Sequence, residues 1–339
     1  MANIFDGLND EVRFAFKSNA SNAPAFDVVS FEGEEGVSRL FRFEITLVTT
    51  SQEVDLNSLL TSSVTFATRA TTGSVYTPYH GILCEVEQLG QVDQYMFYRV
   101  VLVPAVWKLS LTKMNEVYLD EQSIPDLISK ILRDNGLTNT DFKVLLKSAS
   151  SYRKRSFVCQ YQESLLNFIC RLMEKEGLYF YFEQGTDDVK LTIVDYKEAH
   201  IADTMAISYT PRENIQTAQL DQAITVFSQQ LRQVPAKVVV QDFDYRQASL
   251  ADGLKAQETV KNGQSGQVMF YGDNLRTESE ASRLATVRAQ QIECQYETFN
   301  GEAPAVGIRS GYFIDLTRHY QSVCNDKFLI TSVKHRGSQ

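Results

Sequence analysis

Ser156–Val194 reads SFVCQYQESLLNFICRLMEKEGLYFYFEQGTDDVKLTIV. Leu165, Phe168, Ile169 and Leu172 recur at the spacing of one helical face. Gly177 follows the last turn, where a residue tolerant of positive φ stops a helix. Leu178–Phe182 is apolar and aromatic, and too short for a second helix. Gln184–Asp188 supplies turn chemistry. Val189, Leu191 and Ile193 then alternate with Lys190 and Thr192, the period of a half-buried strand. The run predicts a strand, a helix and a hairpin, with no catalytic residue standing out.

Upstream, residues 1 to about 110 predict mostly β structure. Ala25–Phe31, Leu40–Val48, Val64–Thr68, Gly81–Leu89 and Tyr95–Val103 are strand candidates, with turns at Gly33–Gly36 and Gly73-Ser74. Phe41, Phe43, Ile45 and Leu47 alternate with polar residues, so one face is buried and the other wet. Next, Ser123 with Asp126 forms a capping box. Pro125 lies in the first turn, Leu127, Ile128, Ile131 and Leu132 form the buried face, and Gly136 ends the helix. Beyond about 205 the pattern returns to strands: Thr225–Leu231, Lys237–Tyr245, Tyr312–Leu316 and Lys327–His335. One helix is capped by Thr277 and Glu280, with Ala281, Leu284, Ala285 and Ile292 on its inner face. Ser249–Gly266 is polar and glycine-bearing and predicts a long mobile loop.

The chain has 339 residues, 43% hydrophobic and 22% charged, an ordinary globular balance sufficient for two or three domains. Its net charge of −9 argues against general nucleic-acid binding, which needs basic clusters to displace counterions. MANIFDGLNDEVRF lacks the basic start and apolar middle of a secretory signal. No stretch approaches the roughly 18–20 apolar residues of a membrane span. Cys84, Cys159, Cys170, Cys294 and Cys324 are odd in number and scattered, which suits free thiols in a reducing compartment. Cytoplasmic synthesis and no stable membrane insertion are expected.

Compact chemical motifs are missing. His80, His200, His319 and His335 are dispersed, without the close spacing of a local zinc site. There is no C-x-x-C, phosphate loop or nucleophile elbow. Glu174 and Glu176 read as a solvated helix end, and Glu32, Glu34 and Glu35 as a charged turn. Asp242 and Asp244 share one strand face roughly 7 Å apart. They fit paired carboxylates or a cation site, but better a polar pair lining a wet lumen or an interface. Tyr179 and Tyr181 share one strand face, Phe180 and Phe182 the other, which fits either core packing or an obligate subunit interface. No catalytic, cofactor or metal residues are assigned, and no cofactor or enzymatic activity is expected.

The ordered motifs resemble the VgrG family, the trimeric spike proteins of bacterial type VI secretion systems, and the related tail hubs of contractile phages. The resemblance is carried by Gln160–Ser164 with Phe168–Arg171, Glu176–Tyr179, Ser38–Phe43, Tyr79–Ile82, Val103–Leu109, Asp242–Tyr245 and Leu329–His335. It implies an α+β, predominantly antiparallel β fold with two β-barrel hub domains. These would be 1–110 and 201–339, braced by a mixed α/β domain over 111–200. It further implies a homotrimer whose six barrel units dock on a hexameric tube of the Hcp type. Sheath contraction would then drive the spike through a target membrane and deliver effectors, with adaptors and baseplate proteins as further partners. Family members normally continue into an oligonucleotide-fold-like barrel and a β-helix. Gln339 directly follows the closing strand, as in a truncated form or a short homologue carrying only the hub part. A phage-type baseplate hub is the alternative reading, and a spike-borne glycan hydrolase a weaker one.

Overall fold

The computed structural model describes residues 4–5, 8, 12–70, 76–201, 204–214, 223–243 and 253–339. The expected turn at Gly73-Ser74 lies outside these residues, as do Asp244 and Tyr245. The fold is mostly antiparallel β and is built around a closed six-stranded barrel. Its strands are β1 (Phe14–Ser18), β2 (Phe26–Gly36), β3 (Arg39–Thr49), β4 (Ser63–Arg69), β5 (Tyr76–Val92) and β6 (Tyr95–Val103), with a short helix α1 (Leu56–Thr61) before β4. They pair in the order β1-β4-β5-β6-β3-β2, and β2 returns to β1 at Ala15↔Asp27 and Phe16↔Phe26. The period-2 pattern explains this: Phe41, Phe43, Ile45 and Leu47 of β3 are all at most 1% exposed and fill the interior.

The expected turn at Gly33–Gly36 is instead the end of β2, and the chain reverses at Val37-Ser38. Gly33 lies opposite Phe43, and a Cβ there would fall 2.2 Å from the Phe43 ring. That glycine serves a close approach inside the barrel rather than a bend.

Next come β7 (Lys113–Tyr118), α2 (Ile124–Asp134), β8 (Phe142–Leu145), β9 (Val158–Ser164), α3 (Leu165–Glu176), β10 (Tyr179–Gln184) and β11 (Val189–Val194). Both caps are as the sequence predicts. Ser123 Oγ accepts from the Asp126 amide and donates to Asp126 Oδ2, and Gly177 ends α3 with φ of +76°. Leu165, Phe168, Ile169 and Leu172 are buried with Phe180, Phe182, Leu191 and Ile193 of the hairpin. The same core continues into the barrel, where the Phe41 and Phe182 rings meet edge-on at 5.1 Å. Phe180 and Phe182 thus face the core, while Tyr181 on the other side is fully buried against His200. The core reading of the aromatic run holds.

The remaining elements are β12 (Thr204–Tyr209), β13 (Ala223-Ile224), β14 (Val226–Leu231), β15 (Pro235–Asp242), β16 (Leu254–Thr259), β17 (Ser265–Tyr271), α4 (Glu278–Glu293), β18 (Glu297–Glu302), β19 (Phe313–Thr317), β20 (Lys327–Leu329) and β21 (Ser332–Ser338). They form a sheet β13-β12-β19-β20, a ribbon β14-β18 and a sheet β16-β15-β17 covered by α4. Among the described residues, the ring of hydrogen-bonded strands that closes is the N-terminal one. The loop expected over Ser249–Gly266 largely gives way to β16 and the start of β17; residues 249–252 lie outside the description. Its polarity is that of an exposed strand, with Lys255, Gln257 and Thr259 outward and Leu254 and Ala256 packed beneath α4. The closing strand expected at Lys327–His335 is two strands. β20 pairs with β19, and β21 pairs with β2 from Ser30↔Ser338 to Gly36↔Ser332, adding a seventh strand to the barrel sheet.

Candidate assembly site

The motif Gln160–Ser164 resolves into local structural work. Gln160 is fully buried and its Nε2 donates to the Glu163 carbonyl. Ser164 Oγ accepts from the Asn167 amide as the cap of α3, and Glu163 pairs with Arg171 at 2.6 Å. The Arg171 guanidinium also lies 5.4 Å from the Phe168 ring centre. Strand, cap and helix are locked together by the residues that carry the sequence pattern.

Glu176 is not a solvated helix end. It is buried, while Glu174 is exposed. Arg155 Nη2 lies 2.9 Å from Glu176 Oε1 and 2.7 Å from Glu280 Oε1, and Arg153 Nε reaches Glu280 Oε2 at 3.0 Å. Arg283 binds the other Glu176 oxygen and, at 3.0 Å, its main-chain carbonyl. Burial, followed by repulsion from Arg155, lowers the pKa of Arg153. Glu280 is also the capping-box residue of α4, so the helix start is held by the same ions that join it to α3. From the local sequence Glu176 reads only as a charged, solvated end of α3. Its burial depends on α4, whose Arg283 lies 107 positions away.

Glu35 is likewise no turn residue. Its side chain, 8% exposed, accepts from the Tyr79 hydroxyl at 3.2 Å, His335 Nε2 at 2.8 Å and the Ser310 hydroxyl at 3.1 Å. Burial and the neighbouring Glu35 carboxylate raise the Tyr79 pKa, which keeps its proton in place as a donor. One carboxylate thus ties β2 and β5 to the segment before β19 and to β21. Beside this junction a cleft of about 1740 Å³ separates the barrel from the C-terminal strands, lined among others by Phe31, Phe227, Phe299 and Phe328.

The other candidates stand apart. His80 Nδ1 meets Thr65 Oγ1 at 3.0 Å and its Nε2 the Gly185 carbonyl at 3.3 Å. His200 donates from Nδ1 to the Gly311 carbonyl at 2.8 Å, and its Nε2 accepts from the Tyr179 hydroxyl at 3.2 Å, the arrangement of a neutral ring. Burial lowers the pKa of both histidines. His319 accepts at Nδ1 from the Gln321 amide. Asp242 is buried and accepts from the Leu275 and Phe243 amides, which braces the chain there; Asp244, the other half of the expected pair, lies outside the described residues. Among the described residues no three His, Cys, Asp or Glu side chains converge as metal ligands, and the five cysteines are free. No helix among them is long and apolar enough to cross a membrane.

The frame of the molecule is a closed barrel, a seventh strand returned from the far end of the sequence and several short C-terminal sheets. The sequence profile of the phage tail baseplate hub (GPD) family matches residues 34–339. The chain belongs to the phage tail baseplate hub family. This hub chain is 26% identical over 313 residues to the type VI secretion system spike protein VgrG1c of Pseudomonas aeruginosa, covering 90% of the hub chain and 41% of that protein. It therefore spans less than half the length of that relative. Its fold resembles that of the E. coli c3393 protein, described as a type VI secretion component similar to T4 bacteriophage tail proteins gp27 and gp5. The TM-score is 0.71 at 19% identity, with 96% of the hub chain and 73% of the other covered. A 43 kDa tail protein of prophage MuSo2 from Shewanella oneidensis shares the fold, with TM-score 0.61, 11% identity and coverage of 96% and 95%.

Proposed function

We propose that the hub chain is the ring-forming part of a type VI secretion spike, assembling as a trimer that docks on a hexameric tube and is driven by contraction through a target membrane. The role is mechanical and needs no catalytic group. The observation that carries it is the joining of an N-terminal barrel to a C-terminal β unit through β21 and Glu35. Two β-rich units per chain are what three chains need to offer six similar contacts to a hexameric tube. The division into 1–110, 111–200 and 201–339 belongs to this proposal, with β21 serving the first unit although it comes from the third. The 111–200 segment would lie outside the ring and brace it. Synthesis in the cytoplasm, export by contraction, and effector, adaptor and baseplate partners complete the reading.

Light scattering of the purified chain at high concentration is expected to give a mass of three copies. A strict monomer or an even-numbered oligomer would overturn the ring. A phage baseplate hub is the second reading, supported by the shared fold of the prophage tail protein. Neighbouring genes decide between the two: sheath, tube and ATPase genes of a secretion locus, or head and terminase genes.

A further inference from the structure

In the sheet β16-β15-β17, β15 is central and β17 is an edge whose outer side is unpaired among the described residues. Natural edge strands are usually blocked by charge or proline, since a bare row of N–H and C=O groups invites another strand. Here β7 carries Lys113 and Glu116, β16 Lys255 and Glu258, β18 Glu297 and Glu302, and β21 Lys334 and Arg336. β17, SGQVMFY, has neither charge nor proline, which it shares with β14, VFSQQL, in the ribbon β14-β18. Its side chains alternate. Phe270 packs towards α4, while Met269 and Tyr271 project from the opposite face at 49% and 65% exposure.

Cations beside this edge stand without acidic partners among the described residues, whereas Asp273, two residues past β17, is engaged by Lys175 at 3.7 Å. Arg288 of α4 sits over the Phe270 ring at 5.1 Å, beside the edge. Its Nη1 donates to the neutral Gln291 Oε1, its Nε is buried without an acceptor, and no carboxylate pairs with it among the described residues. On the opposite face the charged side chains are Lys237 and Lys255, with no carboxylate.

We infer that β17 is a docking edge for an extended segment of a partner protein, added as a further strand with apolar side chains against Met269 and Tyr271 and a carboxylate against Arg288. Backbone pairing supplies the affinity, and alternate side chains supply the selectivity. The site uses neither β21 nor the cleft and does not depend on ring closure.

The test uses the full chain and a labelled seven-residue peptide alternating Val and Glu, followed by fluorescence anisotropy. Comparators are the Val/Lys peptide and a Val/Glu peptide with alternate amides N-methylated. The Val/Glu peptide should bind at least about tenfold tighter than either, because one charge-assisted hydrogen bond and a strand ladder separate them. Arg288→Glu should reverse the preference towards Val/Lys, and Met269→Lys should weaken both. Circular dichroism confirms that the variants keep their fold. Equal binding of the two charge types, or indifference to N-methylation, overturns the proposal. So does a concentration-dependent self-association abolished by Met269→Lys, which would assign the edge to a second copy.

Discussion

His335 Nε2 stands 2.8 Å from Glu35 Oε1 across 300 positions of sequence. The contact joins β21 to β2 in the same register that sets His335 opposite Gly33. The His335 ring also stacks at 5.7 Å on Phe43, inside the barrel. Glu35→Ala would leave the Tyr79 and Ser310 hydroxyls and His335 without their acceptor. Stability should fall by about 1–3 kcal/mol, the usual effect of orphaning buried donors. In a double-mutant cycle with His335→Ala the two losses should not add. Urea unfolding measures both; strict additivity would mean the pair is not coupled.

The buried ions between α3 and α4 give a larger effect. Arg155→Ala leaves Glu176 and Glu280 short of a shared partner in a site where both are at most 5% exposed. Removing one member of a buried pair costs about 3–5 kcal/mol. A loss below about 1 kcal/mol in chemical denaturation would show that Arg283 and Arg153 suffice.

Core packing of α3 is tested by Leu172→Ala. The side chain is 4% exposed among Phe168, Ile169 and the β10–β11 hairpin. The expected cost is about 2–5 kcal/mol. A cost under roughly 1 kcal/mol would remove that face from the core.

The two histidines with lowered pKa values fix a pH trend. His80 and His200 lose basicity on folding, chiefly through burial, from the ordinary 6.5. Between the lowered value and 6.5 the unfolded chain binds more protons than the folded one, so stability rises with pH across that window and is lost as pH falls below 6.5. The urea midpoint should be lower at about pH 5.5 than at about pH 7.5. His200→Asn keeps a donor for the Gly311 carbonyl and should flatten the slope. An unchanged slope would place the acid sensitivity elsewhere.

Elements specified by local pattern were legible in the sequence: the barrel face of β3, the α2 and α4 caps, and α3 with its glycine stop. Misreadings arose where a distant part of the chain decides a residue's environment. Glu35 and Glu176 look like surface acids because nothing within ten residues of either shows that Ser310, His335 or Arg283 will cover them. Gly33 and Gly36 look like turn residues because the ring that needs the space of Gly33 belongs to Phe43, on the next strand. β16 and the start of β17 look like a loop because one face stays wet and the apolar partner of the sheet is a helix still to come. The joining contacts of the hub were therefore the hidden part, each depending on long-range pairing with no local signature.

The returned strand also imposes an order on biosynthesis. The six strands that close the barrel lie within Phe14–Val103 and leave the ribosome together, whereas Ser332–Ser338 emerges long afterwards. At about 5–20 residues per second, the Ser30–Gly36 edge of β2 stays uncovered for some tens of seconds in every nascent chain. During that window the Glu35 carboxylate has neither His335 nor Ser310. Translation arrested anywhere between the two strands would leave a closed barrel with one open, acid-bearing border, a distinct species for chaperones or proteases to recognise.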